Sequence, residues 1–189
     1  MRPHERLPES VTYKGKRYRL DMSYVAFFTV SALMQDKSVL DYVKVDGALD
    51  ILVRGRHPVD PELLSAIYDL IKEDRPRSGS DQKLMDIEQD WSYICAAFQQ
   101  AYGIDLYKDR KMHIIRFRSL LQALPKDTRM SEIIGIRAAE IPAPTKYNRE
   151  RIAELTRLKA QYALRGGEDS LQDGFAKLFA LLKARAKNA

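Results

Sequence analysis

Cysteine is nearly absent from the 189 residues. The single thiol, Cys95, excludes an internal disulfide framework and a cysteine-rich zinc site, and it suits a reducing compartment. Histidine is scarce as well: His4, His57 and His113 stand too far apart in the chain to suggest a metal cluster. Long apolar runs are missing. The longest nearly apolar one, Val25 to Met34, is ten residues, where a membrane-spanning helix needs about 20. The start Met1-Arg2-Pro3-His4-Glu5-Arg6 has no apolar stretch behind its basic residues, so a secretory layout is not expected and the chain is expected to stay where it is made.

What is present fits a folded chain. With 45% hydrophobic, 31% charged and 9% aromatic residues, the composition is that of a globular protein large enough to bury a core. The +6 net charge is unevenly spread. Residues 1–140 hold 22 Lys and Arg against 21 Asp and Glu, whereas 141–189 hold 10 against 5. A basic tail with interleaved acids reads as a solvated amphipathic surface, which argues against nucleic acid as the partner.

Local signals predict a mainly α protein with a small N-terminal β-hairpin, and a C-terminal helical pair after a proline-rich hinge. Val11-Thr12-Tyr13 and Arg17-Tyr18-Arg19-Leu20 flank Lys14-Gly15-Lys16 as a hairpin. Asp21 is the expected cap of a helix to about Gln35, residues 36–47 are ambiguous, and a short helix is expected from about Gly47 to Val53. Asp60-Pro61-Glu62 is a strong helix start. These elements make an N-terminal region, 1–72, before a linker at 73–83 that contains no large apolar residue.

A helical core, 84–140, follows. Leu84, Ile87, Trp91, Ile94, Cys95, Phe98 and Tyr102 step by three or four and predict one long helix stopped by Gly103. A further helix from about Asp109 carries Ile114, Phe117, Leu121 and Leu124 to Pro125, and another runs from Arg129 to Ala139 with Met130, Ile133, Ile134 and Ile136 buried. Residues 141–147 read as a stiff hinge. The basic remainder, 148–189, begins with a helix capped by Asn148, breaks at Gly166-Gly167 and ends in a helix with Leu171, Phe175, Leu178 and Leu182 on one stripe.

Catalytic patterns are thin. The sequence contains no phosphate-binding glycine loop, no dinucleotide fingerprint, no His-Glu-x-x-His and no Gly-x-Ser-x-Gly. Asp86 and Asp90, four apart, read as solvated carboxylates on a polar helix face. His113, among Arg110, Lys111, Arg116 and Arg118, reads as a helix-surface residue, and Cys95 as a small hydrophobe. The Trp91–Tyr102 aromatics read as core rather than as a stacking platform. No cofactor or metal is expected, and the chain reads as a protein that acts by binding.

From Asp86-Ile87-Glu88-Gln89-Asp90-Trp91 through Tyr102-Gly103-Ile104-Asp105-Leu106, the chain resembles the bacteriophage family called gene product fifteen. The likeness continues through Phe117-Arg118-Ser119-Leu120-Leu121-Gln122-Ala123-Leu124-Pro125, Ile133-Ile134-Gly135-Ile136-Arg137 and Lys159-Ala160-Gln161-Tyr162, and includes the hairpin Tyr13–Tyr18. Trp91, Ile94, Phe98, Tyr102, Gly103, Asp105, Phe117 and Leu121 carry most of it. The resemblance implies a non-enzymatic tail-assembly-chaperone-like protein acting around the tape measure protein and the tail tube subunit, in the host bacterial cytoplasm. Members often carry a histidine and two tryptophans before the phenylalanine, where this chain has His113-Ile114-Ile115-Arg116-Phe117. Ile114 and Ile115 are therefore candidate partner contacts.

Physical chemistry is compatible with that role. A long helical tape measure exposes apolar stripes that aggregate unless covered. Leu171, Phe175, Leu178 and Leu182 have the spacing for helix-in-groove packing on such a stripe, with Gly166-Gly167 as a hinge. Two readings of this last helix stand: it packs on its own body, or it covers the partner. Self-association is also expected. A structural tail component retained in the virion is the alternative function, with a nucleic-acid-binding accessory protein behind it.

Overall fold

The computed structural model describes residues 6–72 and 83–165, in which the chain forms seven helices and one three-stranded antiparallel sheet. The mainly α class is as expected. Two compact units are present: residues 6–72 with 110–119, and residues 83–109 with 120–165.

In the first unit, β1 (Ser10–Tyr13) and β2 (Lys16–Leu20) pair with Val11 opposite Tyr18. Lys14 and Gly15 both take positive φ, 47° and 76°, in the two-residue turn whose twist matches the strands. A two-residue β3 (Val53–Arg54), too short to read from sequence, adds to β2 with Val53 opposite Leu20.

Helix α1 (Tyr24–Gln35) is capped by Ser23, whose hydroxyl accepts from the Ala26 N–H, and not by Asp21 as expected. The Asp21 carboxylate instead accepts from the Ser23 N–H two residues on. Helix α2 (Asp41–Leu52) begins six residues before the expected Gly47, because Val45, Ala48, Leu49 and Leu52 form one buried stripe. Lys44 Nζ, on that helix, donates to the Met34 carbonyl at the end of α1 at 3.0 Å. A Cβ on Gly47 would lie 3.0 Å from Leu33 Cδ2, so the bare backbone there lets α1 and α2 approach closely. Helix α3 (Pro61–Asp69) starts where expected, with Asp60 accepting from the Glu62 N–H.

Residues 110–119 belong to this unit, although the sequence suggested a continuous 84–140 core. Tyr24 N–H donates to the Met112 carbonyl at 2.9 Å, and Ile114 N–H to the Met22 carbonyl at 2.7 Å. Helix α5 (Ile114–Gln122) starts five residues later than Asp109, after this backbone pairing, and stacks Phe117 on Tyr24 with ring centroids 4.8 Å apart.

The second unit contains α4 (Trp91–Tyr102), which ends at Gly103 in the left-handed conformation (φ 66°) as the sequence indicated. Its start is not Leu84. Asp86 captures the N–H groups of Glu88 and Gln89, and side-chain bonds of this kind compete with helix for the backbone. Helix α6 (Arg129–Ala138) is capped by the Thr128 hydroxyl. Met130 and Ile133 are buried as expected, but Ile134 and Ile136 are only half-buried. Helix α7 (Arg149–Gln161) follows Asn148, whose side chain accepts from Thr145 N–H and donates to the Ala143 carbonyl, bracing the hinge instead of capping the helix. The linker up to residue 82 and the last helix, with Leu171, Phe175, Leu178 and Leu182, lie outside the described residues. Among the described residues no helix is long and apolar enough to cross a membrane.

Candidate functional site

The most concentrated chemistry in the second unit is a buried ion pair. Arg137 donates from both terminal nitrogens to the two oxygens of Asp90, at 2.6 and 2.8 Å, and the side chains are 6% and 1% exposed. Such a fork-to-fork pair joins charge attraction to fixed geometry. The guanidinium also reaches backbone: Nε donates to the Tyr162 carbonyl at 2.6 Å and one terminal nitrogen to the Leu84 carbonyl at 3.0 Å. Asp90 also accepts from the Asp86 N–H at 2.9 Å. The pair therefore ties the approach to α4, the last turn of α6 and the end of α7 together.

Asp90, expected on a wet face, is instead buried, 1% exposed. It stands four and eight residues before Ile94 and Phe98, both fully buried, so the helical period places it on the same side as the core. Asp86 is the more exposed partner. Burial raises its carboxyl, but hydrogen bonds from Gln89 N–H and Lys83 outweigh this and hold it below the ordinary carboxylate value. Arg137 was missed as a site residue. Its signal was available: it falls three and four steps along the stripe of Met130 and Ile133, where the period calls for an apolar side chain.

A polar cleft of about 340 Å³ lies over the pair, lined by Gln89, Tyr93, Gln161, Tyr162, Ala163 and Arg165. Both Asp90 oxygens are engaged beneath it, which suits a scaffold and not a proton-transferring base.

The other candidates have structural partners. His113 is half-buried, not a helix-surface residue: Nδ1 accepts from the Ile115 N–H at 3.1 Å, so Nε2 carries the donor proton and gives it to the Pro8 carbonyl at 3.0 Å. Burial pushes the Cys95 thiol up, away from a reactive thiolate. Ile94, Phe98 and Phe117 are core, while Trp91, Tyr102, Asp105 and Leu121 are half-buried. The Tyr102 hydroxyl donates to the Leu120 carbonyl, and Asp105 accepts from the Tyr107 N–H. Of the two candidate partner isoleucines, Ile114 is 5% exposed and packed inside the first unit, and Ile115 is half-buried. Ile114 thus offers no surface in this structure. Large apolar side chains that do face solvent include Leu40, Tyr42 and Val43 at the start of α2.

Comparison with known proteins gives one family, described as Bacteriophage Gp15 protein, which matches residues 4–164. No curated protein and no solved structure matches the chain.

Proposed function

This chain belongs to the bacteriophage Gp15 protein family, and on that premise we propose that it is a non-enzymatic, chaperone-like tail assembly protein that binds the tape measure protein, the tail tube protein or both. It works in the host bacterial cytoplasm during tail morphogenesis. The observation that carries the reading is the family match across residues 4–164. The structure adds support of a different kind. Side chains that chemistry could have used are committed to the fold, Asp90 to Arg137 and His113 to Pro8 and Ile115. Apolar side chains that a protein partner could cover stand in solvent at Leu40, 63% exposed, and Tyr42, 69% exposed.

Co-expression of the full chain with the tape measure and tail tube proteins of the same phage tests the proposal. Capture of either is expected, weakened by Phe175→Asp or Leu178→Asp with the circular dichroism unchanged. Capture of neither partner overturns the reading, and unchanged capture by both variants removes the last helix from the contact. Mass spectrometry of purified particles separates the two roles: stoichiometric presence identifies a structural tail component, and absence fits a chaperone.

A further inference from the structure

Helix α7 is fastened to the second unit by polar groups rather than by its own apolar side chains. None of Arg149–Gln161 is buried, and Ile152, Leu155 and Leu158 are half-exposed. Its C-terminal end carries the fastenings. Lys159 Nζ donates to the carbonyls of Arg137 and Ala139 at 2.7 and 2.6 Å, where the end of α6 favours a cation. The Gln89 amide donates to the Ala163 carbonyl at 3.0 Å and accepts from the Arg165 N–H at 2.9 Å. Arg137 reaches the Tyr162 carbonyl through Nε.

The two Gln89 bonds are exposed and the Lys159 bonds part-buried, so water competes for them and they hold a segment less firmly than apolar burial does; the Arg137–Tyr162 bond is the buried one. Beneath them, α4 and α6 bury Ile94, Ala97, Phe98, Met130 and Ile133 almost completely. Segments with few buried apolar contacts open at a lower free energy than the core they cover. The bidentate hold of Arg137 on Asp90 uses no atom of α7, so the floor beneath survives when the helix leaves.

We propose that residues 149–165 form a releasable strap that comes away as one piece while α4 and α6 stay packed. Lys159 and Gln89 are its catches. Release uncovers the seat of the Tyr162 ring beside Tyr93 and opens the cleft above Asp90 and Arg137.

Hydrogen exchange of the full chain, followed by mass spectrometry under native conditions, tests this. Peptides from 149–165 are expected to exchange ahead of those from 91–102 and 129–138. Gln89→Ala and Lys159→Met are each expected to speed exchange across 149–165 by about three- to tenfold while 91–102 keeps its rate. Lys159→Arg, which keeps a donor at the α6 carbonyls, is expected to stay closer to the parent. Exchange of 149–165 in step with 91–102 in the unaltered chain overturns the proposal. So does a failure of both catch variants to change 149–165, or an equal acceleration of 91–102.

Discussion

Replacing Arg137 with methionine tests the buried pair most directly. The guanidinium donates two hydrogen bonds to Asp90 and one each to the carbonyls of Leu84 and Tyr162. Without it the Asp90 carboxylate, 1% exposed, still accepts from the Asp86 N–H but has lost its countercharge. Stranding a charge in this way costs about 3–5 kcal/mol, a large share of the roughly 5–15 kcal/mol that holds a typical domain folded. Asp90→Leu strands the guanidinium instead and carries a similar cost. The double variant Asp90→Leu/Arg137→Met removes both charges, leaving the Leu84 and Tyr162 carbonyls and the Asp86 N–H to find water. It is expected to be at least as stable as either single variant, so the single costs do not add. Urea unfolding followed by the fluorescence of Trp91 is the assay. Trp91 is the chain's one tryptophan, next to Asp90 and within the same unit, so its signal reports this unit even if the other melts separately. A cost below about 1 kcal/mol for Arg137→Met, or a double variant whose loss equals the sum of the singles, refutes the argument.

Two glycines of the second unit predict opposite signs. Gly103→Ala forces a side chain into a left-handed conformation (φ 66°) and is expected to cost about 1–2 kcal/mol, whereas Gly135→Ala, inside α6 with open space around its Cβ, is expected to gain about 0.5–1 kcal/mol; thermal melts of the two variants check the pair. The Tyr13 phenol is pushed up to about 12, by burial first and, against an opposing bond with Lys14, by hydrogen bonds to Asp60 and Glu62. Its contribution to stability is therefore full below the ordinary value of 10.0 and lost as pH climbs through about 12. Tyr13→Phe should flatten that alkaline loss in a stability–pH profile, and an unchanged profile counts against the bond network. Asp86 runs the other way: its depressed carboxyl stabilises the fold above the ordinary 3.8 and stops doing so as pH falls through the lower folded value. Carboxyl carbon NMR should show Asp86 titrating below 3.8, and a midpoint at or above that value sinks the assignment.

What could be read from the sequence was what neighbours in the chain decide. The hairpin turn at Lys14-Gly15, the Asp60-Pro61 start of α3 and the Gly103 stop of α4 each depend on residues within one turn of themselves, and all three stand where the pattern put them. The start of α4 failed for a reason still local but finer than periodicity: Leu84 and Ile87 keep the helical spacing, yet Asp86 diverts the next N–H groups to its own side chain. The move of 110–119 into the first unit depends on backbone bonds to Met22 and Tyr24, nearly ninety residues earlier, which no local pattern encodes. The buried pair lies between these cases. Its partners are 47 residues apart, so the bond itself is invisible in the chain, but each partner leaves a mark where it stands. Asp90 occupies the stripe of Ile94 and Phe98, and Arg137 that of Met130 and Ile133. One charge on an apolar stripe can be solvated by a bend of the helix; opposite charges on two such stripes that must face a common core neutralise each other's burial cost. That complementarity is legible only at the level of stripes: it marks Asp90 and Arg137 as residues that need a buried counter-charge, while their pairing is a product of the tertiary fold.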